Sequence, residues 1–549
     1  MTRLNLACLS VLLGGAGFVA PLAAQTDANQ VAPAAGQAGP VDVIVADGFV
    51  YDGTGAPWIK ADVAVRGDRI VAVGDLDEVE AERRIDAAGL YVAPGFIDVH
   101  THAGEGLATA ELSHAEPLLA QGLTTVMVNP DGGGEVDLAA QREAFLSHGI
   151  GVNVGQMVPH GEVRREVMGE EDRHATAEEL ERMRALVRTG MEEGAFGLSS
   201  GLFYAPGSFA DIWELVELGR VVGEHGGLYT SHIRDESDYS IGLVAAVEEV
   251  IHVAREAEIP GIVTHVKALG PRVWGFSEAV VQRIEGARAD GVEMWTDQYP
   301  YDASATGLSS ALVPRSAMAG GTDAMLERLR DEGQLSALRP EIAENLERRG
   351  GADRIQIRTF APDTSLEGMR LSEIAEARGL DPIEATVEML LEAEGEVGIV
   401  SYNMLGEDIE TFMRQPWRIT ASDGDLVPMG EGVPHPRSYG TFPRMIAQYA
   451  RDEEVVPVAT AIHSMTGLPA TVYRMTDRGF VREGLIADLT VFDLDALREV
   501  GTFTDPHHLA EGVEYVFVNG ELAIDEGAFT DARSGRVLDR NGEDRRAGE

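Results

Sequence analysis

Hydrophobic positions from Val41 onward come in short runs that alternate with polar ones: 41–45, 48–52, 61–65 and 69–73 each read as a strand, with Gly and Asp between them. The same texture returns over 487–493 and 513–520. Two strand-rich ends around a long middle predict one small β-sandwich domain built from both, over residues 41–93 and 470–545. The middle, 94–469, has another rhythm. Apolar strand runs alternate there with helical stretches such as 177–193 and 277–290, as in parallel βαβ units. Eight strands can be placed, at 95–100, 124–128, 151–158, 195–199, 227–232, 261–265, 292–297 and 417–423. They predict an α/β fold with a closed (β/α)8 TIM barrel. Residues from about 315 to 415 overrun an ordinary βα loop and predict an inserted helical subdomain, placed as a lid.

The first 40 residues belong to neither domain. Residues 1–24 carry Arg3, an apolar run over 6–20 and a small-residue exit before Gln25, the marks of a cleavable signal peptide. The run is short for a membrane anchor and no stop-transfer charges follow it. Residues 25–40, rich in Ala, Gln, Gly and Pro, read as a flexible linker. The expectation is a periplasmic or secreted protein without a membrane span. Its one cysteine, Cys8, lies in the signal segment, so the mature chain has no disulfide, thiol nucleophile or thiolate ligand. Charge removes further classes of function. With 91 acidic against 44 basic residues the net charge is −47, which repels phosphate backbones and anionic lipid. Lysine occurs only at Lys60 and Lys267, so a lysine inside a motif stands out.

The predicted strand ends concentrate metal-binding side chains, and strand ends are where a (β/α)8 barrel builds its active site. The first carries His100 and His102, two positions apart and so on one face of a strand. The second leads to Asp131, the third to His160, the fifth to His232, the sixth to His265, the seventh to Asp297 and the eighth to Asp423. A lone strand-end histidine is more often structural than a ligand. The series over several strands points to a metal centre.

Residues 94–102, Pro-Gly-Phe-Ile-Asp-Val-His-Thr-His, resemble the opening signature of the amidohydrolase superfamily. Segments 197–207, 231–236, 264–267, 297–301, 422–424, 434–437 and 440–444 resemble the N-acyl-D-amino-acid deacylase (D-aminoacylase) branch, in the family's order. The resemblance runs from about residue 41 to 525. It implies a β-sandwich beside a metal-bearing barrel and a zinc-dependent hydrolase of linear amides whose substrates are small N-acyl-D-amino acids. It also implies that His232 and His265 hold the tighter Zn²⁺ and that His100 and His102 line a second site. Asp423 would be the general base that takes a proton from the attacking water and passes it to the leaving nitrogen.

This chain departs from the branch at two points. Where the family has an Asn-Cys-Gly cysteine ligand, it has Asn129-Pro-Asp131-Gly132. Asp131 reads either as the replacement ligand, able to bridge two ions and to admit Mn²⁺ or Co²⁺, or as part of a Pro-Asp-Gly turn. Ala103 stands where the family commonly has an acid, and no lysine lies on the fourth strand to play the part of the carboxylated lysine with which related superfamily members bridge two metals. Lys267, Tyr299, Arg437 and Arg234 are candidates for binding a substrate carboxylate, and His160 for steadying the oxyanion. Packing is the competing role for Tyr299, and ion pairing for Arg437. Two other readings share the opening motif: a cyclic-amide hydrolase of the dihydroorotase or hydantoinase kind, and a catalytically silent ligand-binding homologue. Amino-terminal sequencing of the exported protein is expected to begin at Gln25.

Overall fold

Strands from the two ends of the chain lie in one sheet. In the computed structural model, which describes residues 40–542 and 544–548, that sheet has nine strands. The signal segment and nearly all of the linker lie outside the described residues. The amino-terminal strands Val41–Val50, Ile59–Arg66, Arg69–Gly74, Ala81–Asp86 and Tyr91–Pro94 meet the carboxy-terminal ones where Leu489–Phe492 pairs antiparallel with Tyr91–Pro94. Val513–Val518, Glu521–Asp525 and Ala528–Phe529 complete it. Its apolar residues, among them Val45, Val63, Val65, Val491 and Phe517, are fully buried together.

The strands in the middle of the chain include eight that pair in parallel: β1 (Phe96–Asp98), β2 (Leu123–Val128), β3 (Asn153–Gln156), β4 (Gly197–Gly201), β5 (Leu228–His232), β6 (Gly261–Val263), β7 (Met294–Gln298) and β8 (Arg418–Thr420). Each falls within a residue or two of an expected strand. β1, β2 and β3 pair in parallel. After Met157 the chain resumes as Val158–Pro159, which pairs with β4, and β4 to β8 then pair in parallel in sequence order. Beyond β8, Gly424–Asp425 pairs in parallel with Thr101–His102, just past β1. Nearly every residue of these strands is buried, as expected where helices cover one face and other strands the other.

Two of the helices between them are amphipathic and capped by side chains. Ala177–Glu192 begins with a Thr176/Glu179 capping box and buries Met183, Val187 and Met191. Ile212–Glu224 is capped by Asp211 and buries Leu215, Leu218 and Val222. These side chains share a core with Leu198 and Tyr229 of β4 and β5. One glycine is required by close approach: a Cβ on Gly197 would stand 2.0 Å from the carbonyl oxygen of Leu228.

The insertion differs from the expectation. It is not purely helical and begins before 315. Ser304–Gly307, Gly398–Ser401 and Ile355–Thr359 form a three-stranded antiparallel sheet. The helices Gly321–Arg330, Glu332–Arg348, Leu371–Arg378 and Pro382–Glu392 accompany it, with a separate core that includes Leu312, Ile342, Ile357, Ile374 and Leu390. The strands escaped notice because Ser304–Gly307 is short, small and weakly apolar, with no alternation to read.

Candidate metal centre

Six predicted ligands converge where the β1, β2, β5, β6 and β8 segments end. Asp131 lies at their centre. Its Oδ1 is 3.4 Å from His100 Nε2 and 3.5 Å from His265 Nε2; its Oδ2 is 3.7 Å from His102 Nε2 and 3.6 Å from His232 Nδ1. Asp423 Oδ1 lies 3.1 Å from His102 Nε2 and 3.6 Å from His100 Nε2. Two groups of donors result, His100–His102–Asp131–Asp423 and Asp131–His232–His265, with the ligand atoms of each within 4.8 Å of one another. Ligands about 2.1 Å from a tetrahedral Zn²⁺ stand about 3.4 Å apart, so the spacing fits.

The donor chemistry fits as well. His100 Nε2, Asp131 Oδ1 and both ring nitrogens of His232 are buried without a hydrogen-bond partner. Each such atom costs about 1–3 kcal/mol if left unsatisfied, and divalent ions held by this group would satisfy all of them but one nitrogen of His232, since an imidazole offers an ion one nitrogen. Burial alone would raise the Asp131 carboxyl, but His100 and His265 hold it well below the usual carboxylate range.

The backbone is bent to make this convergence. Asp131, His265 and Asp423 all have positive φ, at 55°, 34° and 52°, a conformation costly for a non-glycine residue and typical of functional sites. The Asp131 loop is pinned from β4, where Ser199 Oγ donates to the Asn129 carbonyl (2.6 Å) and accepts from the Gly132 N–H (3.2 Å). Gly201 is required beside it, since a Cβ there would stand 2.1 Å from the Asp131 carbonyl oxygen. Asp98 ties β1 to β8: it accepts from the His100 and Ser422 N–H groups at 3.2 and 3.0 Å, and from the Ser422 hydroxyl. Burial pushes its carboxyl up to about 6, against those hydrogen bonds.

Partners behind the ligands orient them, as metal-binding imidazoles require. Glu236 Oε1 lies 3.1 Å from His265 Nδ1 and accepts from Lys267 Nζ at 2.5 Å. Burial works against the Glu236 charge, but Lys267 and the two imidazoles hold its carboxyl well below the ordinary range. Asp297 accepts from the His265 N–H (2.5 Å), and its other oxygen lies 3.7 Å from His100 Nδ1. Asp297, expected from the sequence in the strand-end metal series, thus stands behind the imidazoles, and Glu236, without a role in the sequence, was signalled only by its place four residues past His232.

A cavity of about 1120 Å³ opens over the cluster. Lys267, Tyr299 and Arg437 line it together. Tyr299 lies between the two cations, its ring 5.6 Å from Lys267 Nζ and 4.8 Å from the Arg437 guanidinium carbon, and its buried hydroxyl has no partner. Arg437 donates to Asp423 Oδ2 at 2.7 Å. Ser304, Thr306, Arg349 and Arg358 from the insertion form part of the wall.

Two sequence candidates lie elsewhere. Arg234 is spent on structure: it donates to Glu249 (2.9 Å) and to the carbonyls of Ser208 and Ala210. His160 is fully buried at the start of its helix, 2.8 Å from Glu214, which also pairs with Arg164, and it does not line the cavity. Both were chosen on sequence position, which does not show that a nearby acid already occupies them.

The sequence profile of the amidohydrolase family matches residues 83–223 and 277–524. The D-aminoacylase of Alcaligenes xylosoxydans xylosoxydans is 34% identical over 524 residues, covering 91% of this chain and 98% of that protein. A D-aminoacylase structure described for its binuclear metal centre, with one-metal activation and second-metal attenuation, superposes with a TM-score of 0.78 at 33% identity, over 91% of this chain and 100% of that one. The N-acyl-D-glutamate deacylase of Bordetella bronchiseptica, complexed with zinc and a phosphonate mimic of the tetrahedral intermediate, gives 0.77 at 32% identity over the same shares.

Asp131→Ala should retain its fold by circular dichroism but lose at least half of the divalent metal measured by mass spectrometry. Unchanged metal content would reduce Asp131 to a turn residue. A pH dependence also follows for the metal-free protein. Burial opposes the His102 imidazolium, but Asp131 and Asp423 raise its pKa from 6.5 to about 9. Its stabilisation is therefore complete below 6.5 and lost as pH rises through about 9. Thermal unfolding after chelation should shift to lower temperature across that interval, while Zn²⁺ binding, which displaces the same proton, tightens.

Proposed function

The chain belongs to the amidohydrolase family, and on that premise we propose that its strand-end cluster carries out metal-dependent hydrolysis of the amide bond of N-acyl-D-amino acids. The observation that carries this reading is the placement of Lys267, Tyr299 and Arg437 beside four imidazoles and two carboxylates that share one centre. A neutral ester would not need that cationic corner; an N-acyl amino acid brings an α-carboxylate to fill it. A cyclic amide without a carboxylate, such as a hydantoin, leaves the same corner without an occupant.

His232 and His265 with Asp131 would hold one Zn²⁺, and His100, His102 and Asp423 with the same Asp131 would hold a second. When bound there, Zn²⁺ polarises the scissile carbonyl and makes water acidic enough to attack near neutral pH. Asp423 receives the water's proton. Burial disfavours its charge, but Arg437, His102, His265 and His100 keep it ionised and able to accept. It then donates the proton to the amide nitrogen as the carbon–nitrogen bond breaks, which releases a carboxylic acid and the free amino acid. Arg437 donates to Asp423. A substrate α-carboxylate competes for that guanidinium and leaves Asp423 a stronger base once the site is filled. Tyr299 and Lys267 complete the carboxylate's partners.

Three structural readings belong to the same proposal. The parallel pairings from β1 to β8, returning through Gly424–Asp425 to Thr101–His102, support a closed (β/α)8 barrel. The nine-stranded sheet of both chain ends supports the β-sandwich reading of 41–93 and 470–545. The contribution of Ser304–Gly307 and Arg349 to the cavity wall supports the insertion as a lid. Export to the periplasm or medium is inferred from the sequence of residues 1–24. No helix among the described residues is long and apolar enough to cross a membrane.

Asp423→Asn should lower kcat on an N-acetyl-D-amino acid by about 10²- to 10⁴-fold, with a smaller change in KM. A matched panel of N-acetyl-D- and N-acetyl-L-amino acids checks the stereochemical assignment. Equal rates on both series would overturn it.

A further inference from the structure

Five cations line the cavity: Arg165, Lys267, Arg349, Arg358 and Arg437. Four of them are paired with carboxylates. Arg165 meets Glu162 and Glu170, Lys267 meets Glu236, Arg358 meets Asp425 and Arg437 meets Asp423. Arg349 is different. It is 2% exposed, and its side chain donates only to neutral oxygens, from Nε to the Tyr239 hydroxyl at 2.9 Å and from one terminal nitrogen to Ser401 Oγ at 3.2 Å. Among the described residues it forms no ion pair, in a chain with 91 acidic residues to supply one.

Its surroundings deepen the imbalance. Arg315, close enough to Arg349 for the two charges to oppose each other, donates to the Phe203 carbonyl and lies over the Phe203 ring at 4.1 Å; it too has no ion pair among the described residues. The Asp235 carboxylate acts on Arg315 through space, but its oxygens accept from the N–H groups of Ser237, Tyr239, Ser240 and Gly242. Asn403, whose Oδ1 accepts from the cavity-lining Ser304, has its Nδ2 buried without an acceptor. A buried guanidinium without a counter-charge is unfavourable unless something supplies the charge. Here it faces a binding cavity, so the natural source is the ligand.

We propose that Arg349 receives a second carboxylate of the substrate, beyond the α-carboxylate assigned to Lys267, Tyr299 and Arg437. This rests on the deacylase reading and narrows it: the preferred substrate is a dicarboxylic N-acyl amino acid. The second carboxylate belongs either to an acidic D-amino-acid side chain or to a dicarboxylic acyl group. The guanidinium fork, already oriented by Tyr239 and Ser401, suits either.

The test is kcat/KM for the metal-loaded enzyme on N-acetyl-D-glutamate, N-acetyl-D-aspartate, N-succinyl-D-leucine and N-acetyl-D-leucine, with wild type, Arg349→Lys and Arg349→Met. The wild type should favour the side-chain acids or the succinyl compound over N-acetyl-D-leucine by about 10- to 100-fold, and which is favoured identifies the source. Arg349→Met should erase the preference, chiefly through KM, and Arg349→Lys should restore part of it. Wild-type preference for N-acetyl-D-leucine over all three dicarboxylic compounds overturns the proposal, even where a variant fails to fold. So does an equal loss on every substrate in Arg349→Met. Turnover of none of the four by wild type would instead overturn the deacylase reading on which the proposal stands.

Discussion

Everything in the catalytic half of the molecule is arranged around one buried carboxylate. Asp131 presents one oxygen to His100 and His265 and the other to His102 and His232, all within 3.4–3.7 Å. Four imidazoles and an acid gathered this tightly leave several polar atoms without hydrogen bonds, which a folded interior tolerates only when something else satisfies them. The surrounding chain accepts strain to keep the group there. Three ligand residues have positive φ, Ser199 pins the Asp131 loop, and Gly201 clears space for its backbone. Divalent metal resolves the conflict that the fold creates.

Around that centre the charges form ordered tiers. Asp98, Asp297 and Glu236 fix the backbone or the imidazoles of the ligands. Lys267 and Arg437 are each bonded to an acid of the cluster and flank the same tyrosine. One set of side chains therefore balances the cluster's negative charge and presents a cationic face to a substrate. In the proposed mechanism, binding of a carboxylate and readiness of Asp423 to accept a proton are coupled through the Arg437–Asp423 hydrogen bond. The contrast with the exterior is large. A chain of net charge −47 keeps one of its two lysines, and several of its arginines, for the wall of one cavity, where low dielectric makes each worth more than at the surface.

The insertion brings its own core and three-stranded sheet to the mouth of the cavity. It folds around separate apolar contacts, and its wall residues Arg358 and Arg349 are tied back to the strand-end segments through Asp425 and Tyr239. This division lets metal chemistry and substrate selection rest on different parts of the chain. Arg349, just past the helix Glu332–Arg348, belongs to the second part.

The sequence by itself determined the eight inner strands and the candidate metal-binding residues at their ends, Asp131 excepted. Apolar periodicity set the eight inner strands, because buried parallel strands need continuous apolar runs. The histidines and acids at their ends were legible because that chemistry requires particular residue types at particular strand positions. Asp131 as ligand or turn residue was undecidable from its neighbours, since a Pro-Asp-Gly sequence serves both. Only the tertiary structure set it between four imidazoles. It also withdrew His160 and Arg234 from the cavity, because Glu214 and Glu249 come from distant parts of the chain. Glu236, Asp297 and Arg349 drew their roles from the same source. A charge takes its meaning from the partner it meets or lacks across space, and local sequence does not carry that information.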